Sequence, residues 1–331
     1  MNPTTFDDPE LQAIAAQLAS TDAEVRRIAV MDLGDLADEA HTPLLVAALR
    51  DDTPAVRAAA ALALETMENQ AAVEGLAKAL DDLDAQVREA AAHSLAELKD
   101  PASAACGCRA STRMRAAVLR ALRELRVPAS AEPALAVLQE ARPADDATGN
   151  VALRREAIGV LGYLKHAAAL PALAGLAVSD PVDEVRRAAV GALAFAVGNT
   201  EARSALETAL RDASWQVREE AATALGKLQQ PAATTALLSA LDDPYWQVRL
   251  RAARSLGRLR STESVAPLLA ALGHGISNLR KEAALALGEV GDATALPGLE
   301  QAAHDPDPEV RKSVRLAIAQ IGTRPAASHG A

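Results

Sequence analysis

The stretch "SWQVREEAATALGKL", residues 214–228, is followed 31 residues later by "YWQVRLRAARSLGRL", residues 245–259. The chain's two tryptophans, Trp215 and Trp246, stand at the same place in the two copies. Likeness at a fixed interval is the mark of a repeat, and this one extends in both directions. An aliphatic residue followed by arginine recurs at Val25-Arg26, Val56-Arg57, Val87-Arg88, Met114-Arg115, Leu153-Arg154, Val185-Arg186, Val217-Arg218, Val248-Arg249, Leu279-Arg280 and Val310-Arg311. Seven of the nine intervals are 31 or 32 residues and the others are 27 and 39, so the chain holds ten copies of one unit.

Each copy reads as a helical hairpin. In "DPDPEVRKSVRLAIAQIG", residues 305–322, Asp and Pro come first, where a helix start wants an acceptor for free N–H groups and a residue that needs no donor. With the aliphatic residue as position 0, apolar residues recur at positions 4, 8 and 11, one stripe of a 3.6-residue period. A second apolar pattern follows, as in "AVEGLAKAL" (72–80) and "SVAPLLAAL" (264–272). A hairpin of this size cannot bury its own apolar face, so neighbouring hairpins must stack. The expected fold is all-α, an α-solenoid of about ten repeats. Composition agrees: only 2% of the residues are aromatic, and small helix formers dominate the apolar content.

These units resemble short HEAT-like repeats of the phycobilisome-lyase (E–Z) type, on the pattern D-x-x-x-x-V-R-x-x-A-A-x-A-L-G-x-L, over about residues 9–322. The resemblance implies a right-handed armadillo-like solenoid. It also implies that the arginine after position 0 pairs with an aspartate in an inter-helix turn and links neighbouring repeats. The functions it implies are diverse: bilin lyase subunits, deoxyhypusine hydroxylase and scaffold proteins share the repeat type. The hydroxylase resemblance carries a ligand requirement, a His-Glu pair at positions 2 and 3 to hold iron. Those positions run from Arg27-Ile28 to Lys312-Ser313 without one histidine, which argues against that activity.

A formal charge of −10 argues against a nucleic-acid binder, whose phosphate contacts need a basic face. The acidic start "MNPTTFDDPELQ" lacks the features of a secretory leader, and the longest weakly polar run, His166–Val178, is too short to span a bilayer. The expectation is a soluble, cytoplasmic protein without a membrane partner. Cys106 and Cys108, the only cysteines, fit a reducing compartment.

The period falters between residues 100 and 150, where "DPASAACGCRASTRMR" shortens one interval and "QEARPADDATGN" lengthens the next. The expected division is residues 1–99 as repeats 1–3, 100–150 as an irregular repeat, 151–322 as repeats 5–10 and 323–331 as a tail. Irregular loops on a regular scaffold often carry function. "CGC" offers two thiols, and Glu89, His93 and Glu97 share a helix face shortly before it. These groups are either a thiol or metal site or a charged face beside a turn. The following basic run, Arg109 to Arg126, meets only Glu124 in opposition and predicts a positive field.

Two further surfaces stand out. Positions 2, 6 and 10 of the second helix lie opposite the core stripe, on the expected inner face. In repeats 5 and 6 these are Arg155, Gly159, Tyr163 and Arg187, Gly191, Phe195, which form either a hollow with an aromatic wall for an anionic planar ligand or a place of close helix packing. In repeat 8, Arg254 and Arg258 stand there with Arg251 beside them, either for an acidic partner or within a charge lattice. Trp215 and Trp246 occupy position −2, read as the turn before the helix. Stacked repeats would set them about 10 Å apart, with Tyr245 adjacent and Arg249 following.

The leading expectation is a non-catalytic scaffold, adaptor or assembly factor. It would bind an acidic or aromatic segment of another protein at Trp215, Tyr245, Trp246, Arg249, Arg251, Arg254 and Arg258, with no resident cofactor or metal. The alternative is a cofactor-attaching or cofactor-chaperoning protein, using the hollow or the Cys106/Cys108/His93 segment.

Overall fold

The computed structural model describes residues 9–36, 38–67, 69–80, 82–97, 112–124, 128–140 and 148–323. The chain falls into two compact units, Met1–Leu164 and Lys165–Ala331. Among the described residues the first unit contains helices α1 (Pro9–Leu18), α2 (Ala23–Asp35), α3 (Thr42–Ala48), α4 (Pro54–Ala63), α5 (Gln70–Ala79), α6 (Ala85–Glu97), α7 (Thr112–Glu124), α8 (Ala131–Glu140) and α9 (Thr148–Tyr163). The second contains α10 (Leu170–Ser179), α11 (Asp183–Ala192), α12 (Thr200–Ala209), α13 (Trp215–Leu228), α14 (Thr234–Ala240), α15 (Trp246–Leu259), α16 (Val265–Ala271), α17 (Ser277–Val290), α18 (Leu296–Ala302) and α19 (Pro308–Gly322). The described residues form no strand. The fold is an all-α solenoid, each repeat a short first helix followed by a second helix that opens on the repeated arginine segment.

The core follows the stripe. In α13, Val217, Ala221, Leu225 and Leu228 at positions 0, 4, 8 and 11 are fully buried. In the segment that begins with α4 the corresponding Val56, Ala60, Leu64 and Met67 are buried too. Burial reaches further than the stripe, to Ala222, Ala224 and Gly226, because each second helix also packs against the second helix of the next repeat. Small residues at that seam bring the helices close. A Cβ on Gly226 would stand 2.3 Å from the Ser255 Oγ, and one on Gly257 would stand 2.8 Å from the Ala286 Cα. Ser255 secures the seam by donating to the Ala222 carbonyl at 2.7 Å inside the core.

Helix ends obey local chemistry. Asp22 and Asp307 cap α2 and α19 by accepting from the backbone N–H of Glu24 and Glu309. Pro54 and Pro308 are the first residues of α4 and α19, where a missing N–H costs nothing. Trp215 and Trp246 hold the same place as these prolines, so position −2 is the first residue of the helix and not the turn before it. Helices α13, α15 and α17 each end in a left-handed residue, Gln229, Arg260 and Gly291. That conformation stops the helix and suits glycine best.

Candidate functional site

The repeated arginines build a ladder. Arg57 is typical: its Nε and Nη2 donate to the two oxygens of Asp82, both at 2.8 Å, while Nη1 donates to the carbonyls of Asp51 and Asp52 in the turn before its own helix. Arg26 with Asp51, Arg186 with Asp212, Arg218 with Asp243 and Arg280 with Asp305 repeat the fork. Each aspartate also accepts from the backbone N–H two residues on, at Thr53, Asp84, Ser214, Tyr245 and Asp307. One carboxylate thus closes its own turn and receives its neighbour's arginine, and the planar guanidinium fits both tasks. The Arg26 hydrogen bond holds the Asp51 carboxyl at about 2, and the forks of Arg57 and Arg280 hold Asp82 and Asp305 below the ordinary carboxylate range.

The aromatic ridge grows out of this ladder. Tyr245 stands directly before Trp246 at the start of α15, and its ring stacks on Trp215 with centroids 5.6 Å apart and planes 11° from parallel. The Arg218 guanidinium, already fixed by Asp243, lies 5.5 Å from the Tyr245 ring centroid. Trp215 and Trp246 are half-buried, whereas Tyr245 is 45% exposed. The sequence puts the three aromatics at one edge, and the stack joins Trp215 to Tyr245 across two repeats.

The arginines of α15 divide. Arg251 pairs with Glu219 of α13 at 3.0 Å and Arg254 with Glu282 of α17 at 3.2 Å, which makes them rungs of an inter-repeat charge lattice. Arg258 is exposed. Arg249 departs from the ladder: its Nε donates to the Asp243 carbonyl, the place that Nη1 fills in the other copies.

The glycines expected to open a hollow are met by side chains within their own units. A Cβ on Gly159 would lie 2.8 Å from the Arg123 Nη1, and one on Gly191 would lie 3.3 Å from the Glu220 Oε1. Each glycine leaves room for the end of a charged side chain from a neighbouring helix. Tyr163, Arg155 and Arg187 are exposed, and Phe195 is half-buried. His93 lies 3.9 Å from Glu65, while Cys106 and Cys108 lie outside the described residues. The basic run is less isolated than its sequence neighbours indicate. Arg120 and Arg123 both bond Glu156 of α9, at 3.0 and 2.8 Å, and Arg115 bonds Glu140. Part of the run's positive charge is thus met by carboxylates from other helices, while Arg109 and Arg126 lie outside the described residues.

One surface escaped the sequence reading. A cavity of about 570 Å³ in the first unit is lined by Arg27, Met31 and Asp35 of α2 and by Ala58 and Leu62 of α4, with Thr66 beyond. Met31 and Leu62 are each 47% exposed. These are positions 2, 6 and 10 of repeats 1 and 2, so the spacing that marks the inner face is the signal that could have found them.

Comparison with known families bears on the same repeats. Residues 11–96, 144–196, 176–246 and 234–319 match the family described as HEAT repeats. The chain belongs to the HEAT-repeat family. A search of the curated proteins finds no match. Among solved HEAT-like structures, the karyopherin Kap121p bound to the extreme C-terminus of the protein phosphatase Cdc14p is 16% identical, with a TM-score of 0.62 over 97% of this chain and 42% of the karyopherin. An engineered protein is 21% identical, with a TM-score of 0.50 over 96% of this chain and all (100%) of that one. The complex of CpcE and CpcF of phycocyanin lyase from Nostoc sp. PCC7120 is 24% identical over 79% of this chain and 93% of that one, but its TM-score of 0.32 carries no argument. These likenesses concern the HEAT-repeat fold alone. Among the described residues no helix is long and apolar enough to cross a membrane.

Proposed function

We propose that this HEAT-repeat protein is a non-catalytic, cytoplasmic scaffold, adaptor or assembly factor that binds a segment of another protein at the Trp215/Tyr245/Trp246 edge. The observation that carries the reading is the stack of Trp215 on Tyr245, pinned by Arg218, with a substantial part of Tyr245 open to solvent. Pre-ordered aromatic rings give contact area at small entropic cost, and Trp and Tyr are enriched where interface energy concentrates. A solenoid of similar fold, Kap121p, is seen with the end of a phosphatase chain bound, which supports the idea of a terminal or extended segment as the guest.

The test is affinity capture from the source cells with the wild type and with a Trp215→Ala/Trp246→Ala double variant shown to be folded by circular dichroism. The expected result is a stoichiometric protein retained by the wild type and lost from the variant. A partner held equally by both would move the contact surface away from this edge, to the Met31/Leu62 cavity.

A further inference from the structure

The ladder has a gap at a place where the sequence changes one residue. Twenty-five residues after Arg26, Arg57, Arg218 and Arg280 stands an aspartate, but 25 residues after Arg249 stands His274. His274 has kept half of the aspartate's work. Its Nδ1 accepts from the Ile276 backbone N–H at 3.1 Å, just as Asp243 accepts from Tyr245 and Asp305 from Asp307. The other half is lost. A neutral imidazole that accepts at Nδ1 carries its proton on Nε2, so it has a donor where a carboxylate would offer an acceptor.

Arg249 has turned accordingly. In the complete rungs Nε and Nη2 face the carboxylate and Nη1 takes the turn carbonyl six residues back. In Arg249 the Nε takes that carbonyl, so the pair of nitrogens that forks a carboxylate elsewhere is rotated away from its usual task. Among the described residues no carboxylate forms an ion pair with Arg249, although its guanidinium is always ionised. Arg249 and His274 both line a cavity of about 600 Å³, with Leu238, Leu241 and Pro267 as apolar wall and Asp242 among the lining residues.

We infer that this gap is a binding site for a carboxylate side chain of another protein, an aspartate or glutamate of an acidic segment that takes the place of the missing ladder aspartate. In five other rungs the group that satisfies this arginine is a carboxylate, so the local backbone already has the shape for one. The donors match: the Arg249 guanidinium and the His274 imidazole line one cavity, whose apolar walls favour a charge-assisted bond. Asp242 sets the selectivity, because it repels a doubly charged phosphate more than a singly charged carboxylate. Trp246 stands three residues before Arg249 on α15, so an acidic segment at the gap also reaches the aromatic edge. The source of the carboxylate rests on the protein-binding reading above; the site itself does not.

The experiment measures anisotropy of a fluorescein-labelled hexaglutamate peptide titrated with the full chain. Saturable binding by the wild type is expected, with Arg249→Gln weakening it by about tenfold or more, the loss of one good charge-assisted contact. His274→Asp supplies the carboxylate from within, so it also abolishes peptide binding while raising the melting temperature. His274→Asn, which keeps an acceptor for Ile276 but brings no charge, retains the peptide, as does Lys312→Gln, which removes a positive charge elsewhere. No saturable binding by the wild type, equal binding by Arg249→Gln, or a His274→Asp protein no more stable than the wild type would each overturn the inference. Inorganic phosphate displacing the peptide at lower concentration than acetate would overturn its chemical class. Peptide retained by the Trp215→Ala/Trp246→Ala protein and lost by Arg249→Gln supports the gap even where the aromatic edge fails.

Discussion

The Arg57 guanidinium crosses to the next repeat and meets the Asp82 carboxylate through two hydrogen bonds of 2.8 Å, with both side chains largely shielded from water. Each such rung ties the start of one second helix to the turn that opens the next. Removing one partner leaves the other poorly solvated. Arg57→Lys, which keeps the charge and loses the fork, is expected to destabilise the first unit by about 2 kcal/mol, the usual scale for a charge-assisted bond. Urea unfolding followed by circular dichroism reads this directly, and a loss below about 0.5 kcal/mol would place the rung among ordinary surface pairs.

The same bonds make stability depend on acid. Asp51 is held at about 2 by its hydrogen bond to Arg26, below the ordinary carboxylate value. Its contribution is therefore complete above the unfolded pKa of about 4 and is lost as pH falls through the folded value. Asp82 and Asp305 are depressed in the same direction. Melting temperature followed from neutral pH downward should fall steeply below about pH 4. Arg26→Gln should flatten part of that fall. Parallel curves for the two proteins would mean that the Asp51 rung does not report on folding.

The seam between second helices tolerates no added carbon at Gly257, where a Cβ would press on the Ala286 backbone at 2.8 Å. Gly257→Ala gains helix propensity yet must push two helices apart. The net expectation is a loss of about 1–3 kcal/mol, the cost of overpacking a tight core. Gly175, where nothing lies within 4 Å of an added Cβ, is the control, and its alanine variant should be neutral or more stable.

Gln229 sits in the left-handed region at φ 52° at the end of α13, where α17 ends in Gly291. An L-residue pays for that conformation, whereas glycine does not. Gln229→Gly is expected to raise stability by about 0.5–1 kcal/mol, the conformational relief less the added freedom of the unfolded chain. A lowered melting temperature would show that the Gln229 side chain holds more than its backbone costs.

The architecture was legible because it depends on periodicity. Val217, Ala221, Leu225 and Leu228 are buried as their spacing requires, and the arginine after each position 0 pairs with a turn aspartate in the rungs described. What escaped depends on the rotation between neighbouring hairpins, which no spacing encodes. Glu156 pairs with both Arg120 and Arg123 from 36 and 33 residues away, so a count of nearby charges could not find it. Trp215 finds Tyr245 for its stacking partner for the same reason. Seeing His274 needed the ladder first, because a histidine in "ALGHGIS" is unremarkable until an aspartate is known to be owed there.

Every rung joins a repeat only to its immediate successor, which makes the second unit open to editing by whole periods. Excising residues 249–279 would join Val248 directly to Arg280, whose own aspartate, Asp305, stays in place. The shortened chain would lose Arg249 and His274 together and carry an unbroken series of forks from Arg186 to Asp305. The wild-type length thus retains one period whose arginine is left without its inherited aspartate, and that period can be spliced out as a cassette.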